Sequence, residues 1–365
     1  MQRRYTFAKR HLALVIAAHN EELVIGDTIG SAIAAGQPAC DIYVVSDGST
    51  DATVTLATAL LGRANVLDQL QGGKADAIMN AIAHFGIIER YRWMHIADAD
   101  GVFDSQYFGI MQAKLNPDWA AATGYISSLK GGWISKYRSY EYTVGLEIQR
   151  RVQAKMGVIS VIPGPTSVFN TRILSQLDFQ GGTMTEDMDV TFQIHRLGLG
   201  KIAFIPSART YTQDPKDLHD YIKQISRWYR GTFQVMARHR IGTKANKFDA
   251  YLSFVVLEQA LLILQLIAFP LWAWWTTNYG PLALLFLSDL VTFIGFTLFV
   301  AGKNRRADVL GAFPLFYFLR LVNLYVFSKS WFEIVVQRKF RTASAGWSTA
   351  GRRYRITAAA VSGAK

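Results

Sequence analysis

Two apolar stretches, Tyr251–Trp275 and Leu282–Ala301, constrain this chain more than any other feature. A helix rising about 1.5 Å per residue needs about 20 residues to cross a hydrocarbon core roughly 30 Å thick. Both stretches are that long, and a helix is the form that satisfies every backbone group inside lipid. Composition agrees: 50% of the 365 residues are hydrophobic and only 18% are charged, against about 25% charged in soluble chains. The net charge is +12, and its placement is informative. Arg227, Arg230, Arg238, Arg240, Lys244 and Lys247 precede the apolar stretches, Lys303, Arg305 and Arg306 follow them, and Arg338, Lys339, Arg341, Arg352, Arg353 and Arg355 come later. Cations flanking apolar segments suit an anionic lipid surface. No aromatic-rich nucleic-acid motif accompanies them, so nucleic acid is not an expected partner. Cys40 is the single cysteine, which excludes an internal disulfide.

The turn between the two stretches is uncharged, whereas the loop after them is basic. By the positive-inside bias that loop is cytoplasmic, and so is the large segment ahead of the first stretch. The expected location is the cell (inner) membrane, with several passes. A third stretch, Val309–Val336, carries Pro314, Arg320, Asn323, Lys329 and Glu333. If it spanned, the basic tail would lie outside, so an in-plane or re-entrant helix is preferred over a spanning one. Glu258, Gln259, Gln265 and Asp289 are costly in lipid and imply a polar path or pairing. Glu258 and Asp289 are offset in depth by about 10 Å, so they are not expected to pair with each other.

Upstream, strands and helices alternate. Leu12–Ala18 and Ile42–Val45 are short continuous apolar runs, the pattern of strands buried on both faces. Leu23–Ala35, Asp51–Leu61 and Lys74–Phe85 read as helices, and Trp93–Ala97 as a strand. This rhythm predicts an α/β fold with a mostly parallel sheet and helices on both faces. Further helices are expected over Trp133–Met156, Glu186–Leu197 and Pro215–Arg240, with a broken strand over Ile159–Asn170. The helix at Pro215–Arg240 carries Ile222, Ile225, Tyr229 and Phe233 on one stripe, which suits a bilayer interface. The expected domains are 1–212, catalytic; 213–248, interfacial; 249–336, membrane; and 337–365, a basic cytoplasmic tail.

Four clusters in fixed order carry the chemistry. Asp47 follows a strand directly, at the sheet edge where such folds bind ligands. Its carboxylate can accept a hydrogen bond from a uracil N–H, or simply take part in the Asp47-Gly48-Ser49 turn. Asp98 and Asp100 lie two apart at a strand end and point to one side. Such a pair can hold Mg2+ or Mn2+ together with phosphate oxygens. Thr185-Glu186-Asp187 opens a helix, either as a plain cap or with Asp187 as a general base that takes a proton from an acceptor hydroxyl. Gln224, Arg227 and Trp228 share one helix face. Arg227 can grip a diphosphate and Trp228 can stack on a sugar, or both can anchor the helix at the headgroups. Lys74, after Gly72-Gly73, starts a helix where anions are favoured and is a candidate nucleotide contact.

Together these motifs resemble the processive family 2 membrane glycosyltransferases, the cellulose, hyaluronan, chitin-oligosaccharide and poly-N-acetylglucosamine synthases. The similarity runs from about Ala13 to the C-terminus. It implies a GT-A domain that uses a UDP-sugar donor and a divalent metal (Mg2+ or Mn2+), followed by interfacial and transmembrane helices. The resemblance makes Asp100 the expected metal ligand with Asp98 beside it, and Asp187 the base. It assigns Gln224, Arg227 and Trp228 to acceptor and diphosphate contacts. Thr185 and Glu186 complete the Thr-Glu-Asp motif, and Gly164 falls at a small-residue turn near the acceptor. The tail from Phe313-Pro314-Leu315 through Ala345-Gly346-Trp347 is most similar to the poly-N-acetylglucosamine group. Ser46 stands where many members carry another Asp, and no spanning helix is expected before the first strand.

The implied activity is inverting transfer of a sugar, N-acetylglucosamine by this resemblance, to a growing β-linked polysaccharide, with export. Two or three helices make a thin channel, so an accessory membrane subunit or homo-oligomer is the expected partner, besides the donor, a carbohydrate acceptor and the bilayer. Two rival readings stand beside it. One is transfer of a single sugar to a polyprenyl phosphate, by enzymes that share the fold but usually lack Gln-x-x-Arg-Trp; the other is a non-catalytic sugar-nucleotide sensor or accessory subunit.

Overall fold

The computed structural model describes residues 9–339. Along the chain run β1 (Arg10–Ala18), α1 (Ile25–Ala34), β2 (Ile42–Asp47), α2 (Thr53–Leu61), β3 (Val66–Gln69), α3 (Lys74–His84), α4 (Ile87–Arg90) and β4 (Tyr91–Asp98). There follow β5 (Val102–Phe103), α5 (Tyr107–Lys114), β6 (Trp119–Ser128), α6 (Trp133–Val144), α7 (Arg151–Met156), β7 (Ser167–Asn170), α8 (Thr171–Leu174), α9 (Glu186–Leu197) and β8 (Lys201–Thr212). Four long helices close the described chain: α10 (Leu218–Arg238), α11 (Lys247–Thr276), α12 (Gly280–Lys303) and α13 (Phe313–Trp331).

Two compact units divide these elements. The first runs to Leu129 and resumes over Val161–Gln213, so it holds the whole sheet. The second takes Lys130–Ser160 and the described chain from Asp214 to Lys339. The segment with α6 and α7, which the sequence places inside the catalytic domain, therefore clusters with the long helices.

In the first unit the strand order is β3-β2-β1-β4-β7-β6-β8-β5. β1 pairs in parallel with both β2 and β4, β2 with β3, and β6 with β8; the pairings β4–β7, β6–β7 and β5–β8 are antiparallel. The parallel half is the part the alternating pattern forecast. Leu12 through Ala18 are all buried, as a strand covered on both faces requires. Ala17 pairs with Val45 on one side and Asp98 on the other, so the ends of β2 and β4 flank the end of β1 at one sheet edge. The antiparallel half is irregular where β6 meets β8, with a register break between Thr123 and Tyr125. Gly124 sits in that break, and a Cβ there would come within 2.5 Å of the Ala208 carbonyl oxygen. Only glycine lets the two backbones approach so closely.

Behind the sheet edge, His95 on β4 is buried and its Nε2 lies 2.6 Å from the Tyr107 hydroxyl. Burial lowers the His95 pKa to about 3, so the ring is neutral at physiological pH and belongs to the core.

In the second unit, α6 and α7 are joined by a π-helical turn, Gly145–Arg150, and form one unbroken helical run over the span read from the sequence. α10 is strongly amphipathic: Tyr221, Ile225 and Phe233 are buried, while Lys223 is exposed. Three segments are long and apolar enough to cross a membrane: Lys247–Thr276, Gly280–Lys303 and Ala307–Val336. The chain thus has the character of a membrane protein. Asp289 on α12 does find a partner, Arg320 on α13, through paired contacts of 2.9 and 3.0 Å. The tail over 340–365, including Ala345-Gly346-Trp347, lies outside the described residues.

Candidate active site

The first unit gathers one group of candidate residues at the carboxyl edge of its sheet. β4 ends on Asp98, and the turn that follows carries Asp100, which is buried. α3 begins on Lys74, whose ammonium reaches Asp98 Oδ1 at 2.8 Å and Glu186 Oε1 at 2.9 Å. Two motifs more than 80 residues apart in sequence, at Asp98 and Glu186, are thereby joined through a third (98 to 186). Burial pulls the Lys74 pKa down, but the adjoining Asp98 and Glu186 carboxylates outweigh it and the net direction is up. Lys74 is a fixed cation.

Gly164 closes over the same carboxylate. Pro163 and Pro165 turn the expected strand into a single 3-10 turn, Gly164–Thr166, and the strand begins only at Ser167. A Cβ on Gly164 would lie 2.9 and 3.0 Å from the two Asp98 carboxylate oxygens. That carboxylate is anchored by Lys74 and cannot retreat freely. Gly164→Ala is therefore expected to lower turnover by up to about 10²-fold, the cost a 1 Å misplacement at a reacting centre can carry. Turnover measured beside a melting curve checks this: unaltered turnover at unaltered melting temperature would show that the close approach is irrelevant.

α9 supplies the remaining acids. Thr185 occupies its N-cap position, yet makes no side-chain cap; its Oγ1 is buried without a hydrogen-bond partner among the described residues. The simple capping role is thus not the one Thr185 performs. Asp187 is half-buried, with Oδ1 accepting from the Met188 N–H at 2.8 Å. Glu186, Asp187 and Asp189 all lie in the first helical turn, where the helix dipole favours negative charge. A small pocket is lined by Lys74, Gly164, Ser167, Glu186 and Asp187 over an apolar floor of Ile78, Ile96, Phe169 and Val190.

Asp47 is placed differently from the sequence expectation. It is fully buried, and its carboxylate accepts from Gln69 Nε2 at 3.0 Å and from the Gly72 and Gly73 N–H groups at 2.8 Å each. Its immediate partner is the loop that delivers Lys74. A corner that the sequence reading passed over braces the same edge. His19 Nδ1 lies 2.7 Å from the Asp47 carbonyl oxygen, and Asn20, at φ 55°, accepts from the Thr50 N–H at 2.8 Å. The signal was an asparagine two residues after a buried strand, a residue type that tolerates the left-handed conformation.

The second unit holds the other group. Gln224, Arg227 and Trp228 occupy α10, all half-buried. Gln224 Oε1 accepts from Arg138 on α6 at 2.5 Å, and the same guanidinium lies over the Trp228 ring.

Could the first group hold a cation? Among the described residues no cluster of three or more acidic, histidine or cysteine ligands forms a ready-made cage. Asp98 and Asp100 offer hard oxygen donors, the type Mg2+ and Mn2+ select, and these ions use few carboxylates together with substrate phosphates. Lys74 bonds the carboxylates of Asp98 and Glu186, so a cation already sits beside the end of β4. The residues fit a divalent cation that arrives with a diphosphate.

A sequence model of the family described as "Glycosyltransferase like family 2" matches residues 9–231, more than half of the chain. The chain belongs to this glycosyltransferase family. Poly-beta-1,6-N-acetyl-D-glucosamine synthase of Staphylococcus aureus (strain COL) is 26% identical over 261 residues, covering 69% of this chain and 62% of that protein. The same-named protein of Staphylococcus epidermidis is 26% identical over 249 residues, covering 66% and 59%. The match thus spans about three fifths of the length of these curated relatives. Among solved structures, mannosyltransferase PcManGT from Pyrobaculum calidifontis, in complex with GDP-Man and Mn2+, superposes with a TM-score of 0.60. It is 16% identical and covers 84% of this chain and 87% of that one, a likeness of fold.

Proposed function

We propose that this family 2 glycosyltransferase is an inverting membrane enzyme that transfers N-acetylglucosamine from a UDP-sugar to a growing β-linked polysaccharide. The observation that carries the reading is the joining of Asp98, Lys74, Glu186, Gly164 and Asp187 at one sheet edge. The relatives named for poly-β-1,6-N-acetylglucosamine synthesis supply the choice of sugar and of polymer.

In this reading Asp187 accepts the proton of the acceptor hydroxyl while that hydroxyl's oxygen attacks the anomeric carbon. The bond from that carbon to the diphosphate oxygen breaks, and the diphosphate leaves with its electron pair. One displacement inverts the carbon. Asp98 and Asp100 would hold a divalent cation, which when bound neutralises charge on the leaving diphosphate. Lys74 adds a fixed positive charge beside it. Thr185 and Glu186 orient the start of α9 and the Lys74 head. Asp47 acts on the donor side by fixing the loop at Gly72-Gly73. Gln224, Arg227 and Trp228 are assigned to acceptor and diphosphate contacts, and Gly164 keeps room beside Asp98.

We take the first unit to face the cytoplasm, because Lys303, Arg305 and Arg306 follow the second apolar stretch. The Asp289–Arg320 pair favours a third segment that enters the bilayer. Asp289 lies 14 residues before Lys303, about 21 Å along an upright helix, a depth that a helix flat on the inner surface does not reach. Export and an accessory subunit or second copy remain part of the proposal.

Incubation of purified membranes with radiolabelled UDP-N-acetylglucosamine tests the reading. The expected product is a polymer degraded by a β-hexosaminidase. A lipid-linked monosaccharide, or release of UDP from no donor at all, would sink it.

A further inference from the structure

Arg138 is a buried arginine on α6 that no motif singles out. Its side chain is 3% exposed. Nη1 donates to Glu141 Oε2 at 2.8 Å and Nη2 donates to Gln224 Oε1 at 2.5 Å. The guanidinium carbon sits 4.6 Å from the Trp228 ring centroid and 4.7 Å from that of Tyr221. One flat cation thus touches two of the three residues of the Gln-x-x-Arg-Trp motif, through a hydrogen bond to one and a ring face on the other. Desolvating a guanidinium is expensive unless it is paired and bonded. Here Glu141 is the counter-ion, and Glu141 is itself held. Asn323 Nδ2 donates to Glu141 Oε1 at 2.8 Å, and the Tyr221 hydroxyl donates to Asn323 Oδ1 at 2.7 Å. The arrangement runs from α13 through α6 to α10, and its far end is the face carrying Gln224 and Trp228.

From this we infer that Arg138 is a positioning residue: it sets the Gln224 amide and the Trp228 ring in the orientation that receives the acceptor. The inference rests on the assignment of Gln224 and Trp228 to the acceptor. Its chemistry follows from shape. A planar fork can bond a carboxylate and an amide at once while lying flat against rings; an ammonium is a single point and cannot do all three. Arg138→Lys keeps the buried charge beside Glu141 but gives up the Gln224 bond or the ring contact.

The test compares two reactions of one protein: sugar transfer to an oligosaccharide acceptor, and donor hydrolysis without acceptor. In Arg138→Lys, transfer should fall about 10- to 100-fold, because reacting groups are misplaced by roughly an ångström. Hydrolysis and the donor KM should stay within about twofold, and the melting temperature should fall by only a few degrees. Glu141→Gln, which keeps the arginine but loosens it, should show the same split and serves if the lysine variant does not fold. Arg138→Lys combined with Trp228→Ala should be no worse than Trp228→Ala alone, as expected of residues acting as one unit. Unchanged transfer, a parallel fall in hydrolysis and transfer, or additive losses would overturn the inference. If Trp228→Ala itself leaves transfer normal, the acceptor assignment fails and this inference with it. If Trp228→Ala is impaired while Arg138→Lys is normal, the inference alone fails.

Discussion

Asp187→Asn is expected to lower sugar transfer by about 10²–10⁴-fold, the range a general base contributes, while donor binding persists. The substitution is nearly isosteric. Asn keeps an oxygen that can accept from the Met188 N–H, the bond Asp187 makes at 2.8 Å, so the start of α9 should survive. Glu186 still holds Lys74, and Lys74 still holds Asp98. In the proposed base role, what disappears is the acceptor for the hydroxyl proton, and the attacking oxygen would then lose it to water. The donor dissociation constant, read by calorimetry with UDP, should change by less than about threefold, because losing a group that acts only in the transition state leaves ground-state binding intact. A variant that turns over at nearly the normal rate would remove Asp187 from the base role. A variant that loses UDP binding to the same degree as turnover would make it a donor ligand.

The sequence made some of this site legible and hid the rest for physical reasons. α9 is found over Glu186–Leu197, the range read beforehand, because acids crowd its first turn and Gly198, at φ 63°, ends it. β1, β2 and β4 were legible as apolar runs because parallel strands are buried on both faces. β6 was not: Trp-Ala-Ala-Ala-Thr-Gly-Tyr-Ile-Ser-Ser has little β-branched content and is held by pairing with β7 and β8. β8 likewise owes its course to partners. From sequence Lys74 is a separate nucleotide contact, since its bridging of Asp98 and Glu186 exists only after folding. Asp47 looked like an open ligand at a strand end, and only the return of the chain over Gln69–Gly73 shows that its oxygens are taken. Arg138 gave no signal at all. An arginine in an aromatic helix is ordinarily solvated, and what buries this one are the rings of Tyr221 and Trp228 from a helix some 80 positions later.

If the proposed divalent cation serves this site, removing it, or its expected ligand, should cost more than any other single change outside Asp187. Chelation with EDTA is expected to abolish transfer, and Mn2+ or Mg2+ to restore it. Asp100→Asn is expected to lower turnover by about 10³-fold, since charge stabilisation worth several kcal/mol converts at about 1.4 kcal/mol per decade. Asp100 is only 5% exposed, so turnover is read beside a melting curve. A purely structural carboxylate would show a lower melting temperature, with turnover lost only through unfolding. Full activity in EDTA, or normal turnover of Asp100→Asn, would leave the acids at the end of β4 without the task assigned to them.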